Sequence, residues 1–305
     1  MHLRLGTRGS RLALWQAHHV ASRLSASWPG LTVDIAIIQT EGDRRTDVPL
    51  TASFGEGVFV KEIENALLAA TIDLAVHSLK DLPTLTPAGL AIAAILRRHD
   101  PRDALVCAKA ARVEDLPHGA MVATGSPRRR SQLLHVRSDL RFSLVRGNVD
   151  TRLTKLDAGE FDALILAVSG IERLGLANVP YTAIPTAVCL PAPGQGALAV
   201  ETRTDDEETR RLVAALDDAD TASSVGAERS FLAALGAGCL APAGALGTVS
   251  GTTLRLDAMV GDPDGRSQLR DRIEGGLDEA EALGAGLASR LLRAGADAIL
   301  KDVRG

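Results

Sequence analysis

Arginine and lysine side chains gather in one stretch of the sequence, from Arg128 to Lys155. Eight basic residues fall there against two acids, in a chain of 305 residues whose formal net charge is −4. Like charges in contact repel by about 4 kcal/mol at an effective dielectric constant near 20. A bound polyanion would offset this repulsion, and a solvated basic face is the alternative that this stretch leaves open. Because guanidinium groups hold carboxylates and phosphates through two bonds, the predicted chemistry is anion binding.

The first of these arginines follow a predicted strand. Residues 121–124 form a short apolar run, and Ser126 with Pro127 has the composition of an N-cap followed by proline in the first helical turn. Arg128 and Arg129 then fall in that first turn, where free backbone N–H groups and the helix dipole already favour negative charge. Cations are locally unfavourable there, which favours a bound anion over a charge run without a ligand.

A second strand-to-helix turn repeats this arrangement. Residues 141–145 are strand-like, Asn148 is a candidate N-cap, and a helix is predicted from Thr151 onward. Arg146 lies before the candidate cap and Arg152 lies after it. Two turns of the same kind, each with arginine, predict carboxylate or phosphate ligands.

Alternating strands and amphipathic helices in the N-terminal third predict an α/β doubly wound sheet. Ligands in such sheets bind beyond the carboxyl ends of the strands. Arg8 and Ser10 follow the first predicted strand, and Lys80 and Asp81 follow the strand at residues 72–78. An anion site is predicted at these ends, although Lys80 and Asp81 also fit an ordinary surface ion pair.

The rest of the chain divides by composition. A second α/β unit extends to about Leu190 and includes Arg173, a further candidate anion contact, before the Pro-Gly-rich crossover at 190–196. A helix, at least two strands and a closing helix in the C-terminal third predict a small α+β domain. His77, inside a predicted buried strand, is expected to be a hydrogen-bonded core histidine rather than a catalyst.

Composition excludes several classes of protein. The chain has no apolar run of about 18 residues and no apolar leader, so a membrane protein is not expected and the cytoplasm is the default location. Three widely spaced cysteines fit neither a disulfide framework nor a zinc site, and no metal is expected. With eight aromatic residues, stacking platforms for nucleic acid are hard to build.

Cys239 lies in a glycine-rich loop. The segment from Gly236 to Ala241 formally matches a dinucleotide-binding pattern, but a predicted helix precedes it and Pro242 follows it, so this interpretation fails. An incidental free cysteine remains possible from composition. A thiol on such a loop is alternatively a nucleophile or an attachment point.

Taken together, seven segments resemble the porphobilinogen deaminase (hydroxymethylbilane synthase) family. The matching segments are residues 7–17, 58–62, 73–83, 125–129, 146–153, 190–197 and the loop at Gly238 and Cys239. The resemblance implies a transferase that joins four porphobilinogen molecules head to tail, with loss of ammonia, to give hydroxymethylbilane. It also implies a dipyrromethane cofactor bound covalently, as a thioether, to Cys239.

The resemblance implies a role for each matching residue. Asp81 matches the catalytic carboxylate, which would stabilise the positive charge that the pyrrole nitrogen gains when ammonia leaves. Besides Cys239, the implied cofactor-binding residues are Lys80, Thr124, Ser126, Arg128, Arg129 and Arg146. The implied substrate-binding residues are Arg8, Ser10, Arg152, Arg173 and Gln195.

The resemblance also implies the domain organisation. Two α/β domains like those of periplasmic binding proteins, 1–98 with 195–216 and 99–194, would flank an active cleft, and a third α+β domain, 217–305, would carry the cofactor. A cytoplasmic monomer that passes its product to uroporphyrinogen-III synthase is expected.

Two positions depart from the family pattern. Glu56 stands where lysine is frequent, and Leu240 stands where a polar residue is frequent. Two alternatives come from other classes. The first is a non-catalytic small-anion binding module of the periplasmic-receptor type, which would not require Cys239. The second is a nucleic-acid binder, against which stand the acidic remainder of the chain and its few aromatic residues.

Overall fold

Short apolar runs of the sequence pair into three sheets in this structure, a computed structural model. The described residues are 1–40, 60–236 and 241–304. They divide into two units. Unit 1 comprises Met1–His99 with Ala197–Ala222, and unit 2 comprises Asp100–Gly196 with Ser223–Gly305.

The elements are numbered in chain order. The strands are β1 (His2–Thr7), β2 (Thr32–Ile37), β3 (Leu74–Ser78), β4 (Leu90–Ile95), β5 (Asp103–Val106), β6 (Met121–Ala123), β7 (Arg141–Ser143), β8 (Ala163–Ala167), β9 (Tyr181–Ala183), β10 (Leu198–Arg203), β11 (Ala243–Ser250), β12 (Thr253–Gly261) and β13 (Gln268–Gly276). The helices are α1 (Arg11–Ser27), α2 (Lys61–Leu68), α3 (Pro127–Val136), α4 (Val149–Asp157), α5 (Val168–Arg173), α6 (Glu207–Val213), α7 (Ala219–Ala234), α8 (Ala280–Leu291) and α9 (Asp297–Arg304).

Unit 1 is built on a five-stranded sheet in the order β2-β1-β3-β10-β4. Strand β1 runs parallel to β2 and β3, whereas β10 runs antiparallel to β3 and β4. Helix α1 begins where predicted, because the Ser10 hydroxyl accepts a hydrogen bond from the N–H of Ala13 at 3.3 Å. Its predicted apolar stripe, with Ala17, Val20 and Leu24, packs in the core of this unit.

Unit 2 contains a second five-stranded sheet, in the order β7-β6-β8-β5-β9. Here β6 runs parallel to β7 and β8, and β5 runs antiparallel to β8 and β9. Helix α3 follows β6 with Ser126 as its N-cap and Pro127 in its first turn, as predicted. Its buried face includes Leu133 together with the polar residues Ser131 and Gln132. The predicted α/β class is confirmed for both sheets.

The C-terminal residues of unit 2 form a separate antiparallel sheet of β11, β12 and β13. Leu254 and Leu256 from this sheet pack against Phe231 of α7 and Leu287 of α8 in one apolar core. The sequence pattern had indicated at least two strands; β13 is harder to recognise because it carries several charged residues and is only partly buried. The predicted C-terminal α+β fold is confirmed, and the three-domain boundaries stay a prediction.

Within residues 1–40, 60–236 and 241–304, no helix is both long enough and apolar enough to cross a bilayer. The same residues contain no group of three or more His, Cys, Asp or Glu side chains arranged to hold a metal ion.

Alanine at Gly284 tests the packing of α8 on α7. A Cβ atom there would overlap the carbonyl oxygen of Ala227 and the backbone nitrogen of Phe231, so we expect Gly284→Ala to lower the free energy of unfolding by about 1–3 kcal/mol. At Gly286 in the same helix, the nearest atom to such a Cβ is 3.8 Å away. Gly286→Ala should therefore be neutral or stabilising by up to about 1 kcal/mol. Equal urea midpoints for the two variants would contradict this packing.

Candidate active site

The first strand-to-helix turn and the end of β3 line one cavity in unit 1. Arg8 and Ser10 reach it from the turn between β1 and α1, and Asp81 reaches it from the 3₁₀ turn Leu79–Asp81. Because β1 and β3 are parallel neighbours, their carboxyl ends meet at the same edge of the sheet. The structure therefore brings together three of the four site residues predicted for this unit, and Lys80 is not among the described residues that line the cavity.

Polar side chains that the sequence did not indicate complete the wall of this cavity. The side-chain amide of Gln16 donates to the Ser78 hydroxyl at 2.8 Å and so ties α1 to the end of β3. His77 also lines the cavity, and its Nε2 lies 3.2 Å from Oε2 of Glu201. His77 is 5% exposed, so the prediction of a core residue is confirmed, but its Nε2 makes no hydrogen bond among the described residues, contrary to the hydrogen-bonded histidine that was expected.

In unit 2, one buried carboxylate holds both arginines of the first turn of α3. Oδ2 of Asp103 accepts from Nη1 of Arg128 at 2.7 Å, and Oδ1 accepts from Nε and Nη2 of Arg129 at 3.0 and 2.7 Å. The amide of Gln195 donates to the same Oδ1 at 2.9 Å. Three predicted site residues therefore meet around Asp103, which has no exposed surface.

The electrostatics of this cluster favour its charged form. Burial alone would raise the pKa of Asp103, but the charges and hydrogen bonds of Arg128 and Arg129 outweigh burial and hold that pKa well below its usual range. Burial likewise disfavours the Arg128 cation, and Asp103 outweighs it and raises the pKa of Arg128. Two guanidinium groups against one carboxylate leave an excess positive charge below the surface. The Nε atom of Arg128 is buried and has no hydrogen-bond partner among the described residues.

Hydroxyl groups shape the turn in front of these arginines. The Ser126 hydroxyl accepts from the N–H of Arg129 at 3.4 Å, as an N-cap does. The Thr124 hydroxyl accepts from the N–H of Ser126 at 3.2 Å. Both residues therefore orient the start of α3, and their hydroxyl protons stay available as donors to an anion.

The second strand-to-helix turn, between β7 and α4, contains a glycine in a backbone conformation that would strain any other residue. Gly147 has φ +99°, and a Cβ there would lie 2.9 Å from a methyl carbon of Thr151. Asn148 caps α4 as predicted, accepting from the N–H of Thr151 at 2.9 Å. Nε of Arg152 donates to the Gly147 carbonyl at 2.9 Å, so this arginine leans back on the turn, and Arg146 beside it is half-buried.

Arg173, at the end of α5, is a buried cation. Its Nη2 donates to the Gly196 carbonyl at 2.7 Å, next to Gln195 in the chain. Burial lowers the pKa of Arg173 to about 10, because removal from water disfavours the charged form. An anion beside it would reverse that shift.

Cys239 lies outside the described residues, whereas the other two cysteines are described. Glu56 and Leu240, the two departures from the family pattern, also lie outside the described residues. Cys107 and Cys189 are buried free thiols. Burial, with the nearby Asp103 charge, raises the pKa of Cys189 to about 12, so this thiol stays protonated and is a poor nucleophile.

Sequence reasoning missed Asp103 and Glu201. Neither residue belongs to a motif that predicts a site. The one available signal was an acid directly before the apolar run Ala104–Val106, where a charged group enters a buried strand. Glu201 had a similar signal, an acid at the end of an apolar strand.

Family comparison extends over both units. Residues 3–211 match the model described as porphobilinogen deaminase, dipyromethane cofactor binding domain, and residues 222–293 match the porphobilinogen deaminase, C-terminal domain. The chain belongs to the porphobilinogen deaminase family. The resemblance found in the sequence is thereby confirmed.

Individual relatives of this family match along nearly the full chain. The porphobilinogen deaminase of Trichlorobacter lovleyi is 48% identical over 301 residues, which cover 99% of this chain and 96% of the relative. That of Acidothermus cellulolyticus is 51% identical over 303 residues, covering 98% of this chain and 91% of the relative.

Solved structures with similar backbones include transport receptors. A methionine-binding protein, MetQ, aligns with a TM-score of 0.42 and 14% identity over 70% of this chain and 88% of its own. A probable amino-acid ABC transporter extracellular-binding protein from Bacillus subtilis aligns with a TM-score of 0.43 and 10% identity over 70% and 88%. Alignments at this level do not define the activity of the chain.

The Asp103 cluster fits the cofactor of the porphobilinogen deaminase family. Dipyrromethane carries acetate and propionate groups on its rings, and a carboxylate is the partner that an excess buried positive charge requires. The partnerless Nε of Arg128 is a donor in the same cluster. The residues present in unit 2 therefore suit a group with several carboxylates.

Asparagine at position 103 tests the cluster. Because the folded-state pKa of Asp103 is depressed, its stabilising effect is present above its ordinary pKa and is lost only as pH falls through the depressed value. Asp103→Asn should lower the free energy of unfolding by about 3–5 kcal/mol at neutral pH. The difference from the unmodified protein should shrink below about pH 4.

The matched control for this prediction is Asp115→Asn. Asp115 pairs with Arg112 at 2.9 Å, but the two side chains are 42% and 69% exposed, so Asp115→Asn should cost much less stability than Asp103→Asn. Urea unfolding at several pH values measures both variants. Equal losses for Asp103→Asn and Asp115→Asn would contradict the central role of the buried carboxylate.

Proposed function

We propose that this chain is a transferase that joins four porphobilinogen molecules head to tail, with loss of ammonia, to give hydroxymethylbilane. The observation that carries the proposal is the buried cluster of Arg128 and Arg129 around Asp103, within the segment that matches the cofactor-binding domain of the family. The full-length relatives support the same activity. They do not favour a non-catalytic receptor.

In this proposal a dipyrromethane cofactor is held in two ways. Cys239 provides the covalent thioether. The carboxylates of the cofactor are bound by Lys80, Thr124, Ser126, Arg128, Arg129 and Arg146. When bound, the cofactor supplies the pyrrole end to which the first substrate is joined. A charge-assisted hydrogen bond to such a carboxylate contributes about 1.5–3 kcal/mol.

A second set of residues binds the carboxylates of porphobilinogen and of the growing chain. We place Arg8, Ser10, Arg152, Arg173 and Gln195 in this set. Arg8 and Ser10 offer a guanidinium and a hydroxyl at the N-terminus of α1, where negative charge is favoured. Gln195 contributes by orientation, since its amide bonds to the same carboxylate as Arg129.

Asp81 is proposed as the catalytic residue. Its carboxylate lines the cavity of unit 1 from a short turn, so it stays close to solvent and to an incoming pyrrole. Loss of ammonia leaves the ring nitrogen of porphobilinogen with positive character, and a fixed carboxylate stabilises that charge where it develops. The same carboxylate is able to assist proton transfer at the pyrrole nitrogen.

The wider setting of the enzyme belongs to the same proposal. We expect a cytoplasmic monomer that passes hydroxymethylbilane to uroporphyrinogen-III synthase for tetrapyrrole and haem biosynthesis. Only porphobilinogen and the covalent cofactor are needed for the activity itself.

The intact mass of the purified protein tests this function. We expect an excess over the chain mass equal to two porphobilinogen units minus two ammonia molecules, and its complete loss in Cys239→Ser. Replacing a buried cysteine, Cys107→Ser, should keep the full excess and is the matched control. An unmodified mass, in protein that also fails to consume porphobilinogen, would contradict the proposed function.

A second prediction separates the roles of Asp81 and the arginines. Asp81→Asn should keep its fold and its cofactor but lose about 10²-fold or more in turnover, because the charge on the ring nitrogen loses its counter-ion. Asp205 is exposed, so the matched control Asp205→Asn should change neither the cofactor content nor the turnover. Near-normal turnover in Asp81→Asn would remove this residue from the mechanism.

Variants of Arg128 and Arg129 are expected to affect cofactor loading or chain elongation rather than the chemical step alone. Arg128→Gln and Arg129→Gln should reduce the cofactor-loaded fraction in the intact mass spectrum, or stall elongation after loading, since each removes a buried cation. Full loading with normal elongation in both variants would exclude them from carboxylate binding.

A further inference from the structure

A buried acid–imidazole pair lies behind the cavity that contains Asp81. The side chains of His77 and Glu201 are 4% and 1% exposed, and their Nε2 and Oε2 atoms face each other at 3.2 Å. The two atoms are in contact but do not form a hydrogen bond with each other. Neither atom has another hydrogen-bond partner among the described residues. Two titratable atoms are therefore kept out of water and in contact, but poorly satisfied.

The sheet register holds this pair in place. Strands β3 and β10 are antiparallel, with His77 opposite Ala199 and Glu201 opposite Ala75. Positions two residues apart along paired strands project from the same face of a sheet, so the two side chains are diagonal neighbours. His77 also lines the cavity, four residues before Asp81 in the chain. The pair thus connects the interior of unit 1 with the surface at which Asp81 lies.

Other charged groups around the pair are mostly acidic. From α2, Glu64 is close enough that burial, and then the charge of Glu201, raise its pKa, whereas His77 lowers it. Glu62 of the same helix has a buried carboxylate oxygen. The cavity adds Asp81 and the cation Arg8. Carboxylates on two elements, α2 and β10, therefore lie near the His77 imidazole.

Stability alone gives no reason to keep such a pair. Removing two ions from water costs several kcal/mol each, and well-packed apolar residues of similar volume are often as stable or more stable than a buried ion pair. Imidazole is also the side chain that gains and loses a proton most readily near neutral pH. A buried pair of this kind, beside a cavity with a second carboxylate, is typical of a site that moves protons.

We propose that His77 is a second catalytic residue of the unit 1 cavity and transfers protons there, with Glu201 as the positioning residue that stabilises its charged form. This inference rests on the proposed function. The ligand it concerns is the aminomethyl end of porphobilinogen, the cationic part of a substrate whose other groups are carboxylates.

The reaction of the protonated aminomethyl group moves one proton, from the accepting pyrrole carbon to the departing ammonia, and His77 is the proposed relay for it. The C–N bond of the aminomethyl group breaks with its electron pair on nitrogen, which leaves as ammonia, and the ring keeps the positive charge. Ammonia takes a proton from the His77 imidazolium and departs as ammonium. Formation of the new carbon–carbon bond displaces one hydrogen, as a proton, from the accepting pyrrole carbon, and this proton returns to the imidazole. Each cycle thus begins and ends with imidazolium.

Three variants of the cofactor-loaded enzyme test the inference through the pH dependence of turnover. In His77→Asn we expect kcat to fall by about 10²-fold, with KM within about twofold and with the alkaline limb of the kcat profile abolished. In Glu201→Gln the limb should move to lower pH, because the imidazolium loses its counter-ion. Thr202→Val, at a fully buried neighbouring position, should leave the profile unchanged.

The intact mass and the thermal midpoint establish that each variant is folded and loaded. A loaded His77→Asn enzyme with kcat within about twofold of the unmodified enzyme and an unchanged pH profile would overturn the inference. A purely structural role would lower the amount of folded enzyme and leave the pH profile of the remainder in place, which also counts against it.

If His77→Asn and Glu201→Gln do not fold, a measurement on the unmodified holoenzyme still tests the inference. Ring nitrogen chemical shifts of His77, assigned through its covalent neighbours, should change with pH in step with kcat. A ring that keeps one protonation state across the pH range of the kcat profile overturns the inference. Failure of the unmodified enzyme to consume porphobilinogen would instead defeat the proposed function, so the two failures are distinguishable.

Discussion

The pairing of one buried carboxylate with two buried guanidinium groups is the interaction on which the arginine cluster of unit 2 depends. Without Asp103, the first turn of α3 would place Arg128 and Arg129 side by side, away from water and next to a positive helix end. With Asp103, both cations are held in fixed orientation while one positive charge remains unbalanced. In the proposed function, such a cluster is ordered before its carboxylate ligand binds and still attracts that ligand.

The crossover between β9 and β10 holds this arrangement in place. The Leu190 carbonyl accepts from Nη1 of Arg128 at 2.6 Å, and the Gly196 carbonyl accepts from Arg173 at 2.7 Å. The Gly194 N–H donates to the buried carboxylate of Glu228 on α7 at 2.6 Å. A Pro-Gly-rich segment suits this role because it is not a strand, so the carbonyls of Leu190 and Gly196 accept from arginine instead of from a strand ladder.

The two five-stranded sheets have equivalent strand orders but opposite chemistry. In unit 2 the buried charges near the strand ends are mainly guanidinium groups, whereas in unit 1 carboxylates surround His77. The sheet itself imposes neither sign, since its strands are apolar and its turns carry the charge. In the proposed function, the arginine cluster of unit 2 binds carboxylates, and the cavity of unit 1 handles the cationic end of the substrate and its protons.

Local patterns in the sequence predict most of the elements, both arginine-bearing turns and the family, but not β13. Caps such as Ser10, Ser126 and Asn148 act within three residues, so their helices begin where the pattern predicts. The predicted roles of the arginines and of Asp81 follow from the family resemblance and stay proposals. Only the tertiary structure decided that Asp103 holds Arg128 and Arg129, and that Glu201 faces His77. These partners come from strands far apart in the chain, and no local spacing encodes which distant carboxylate will be buried beside a given cation.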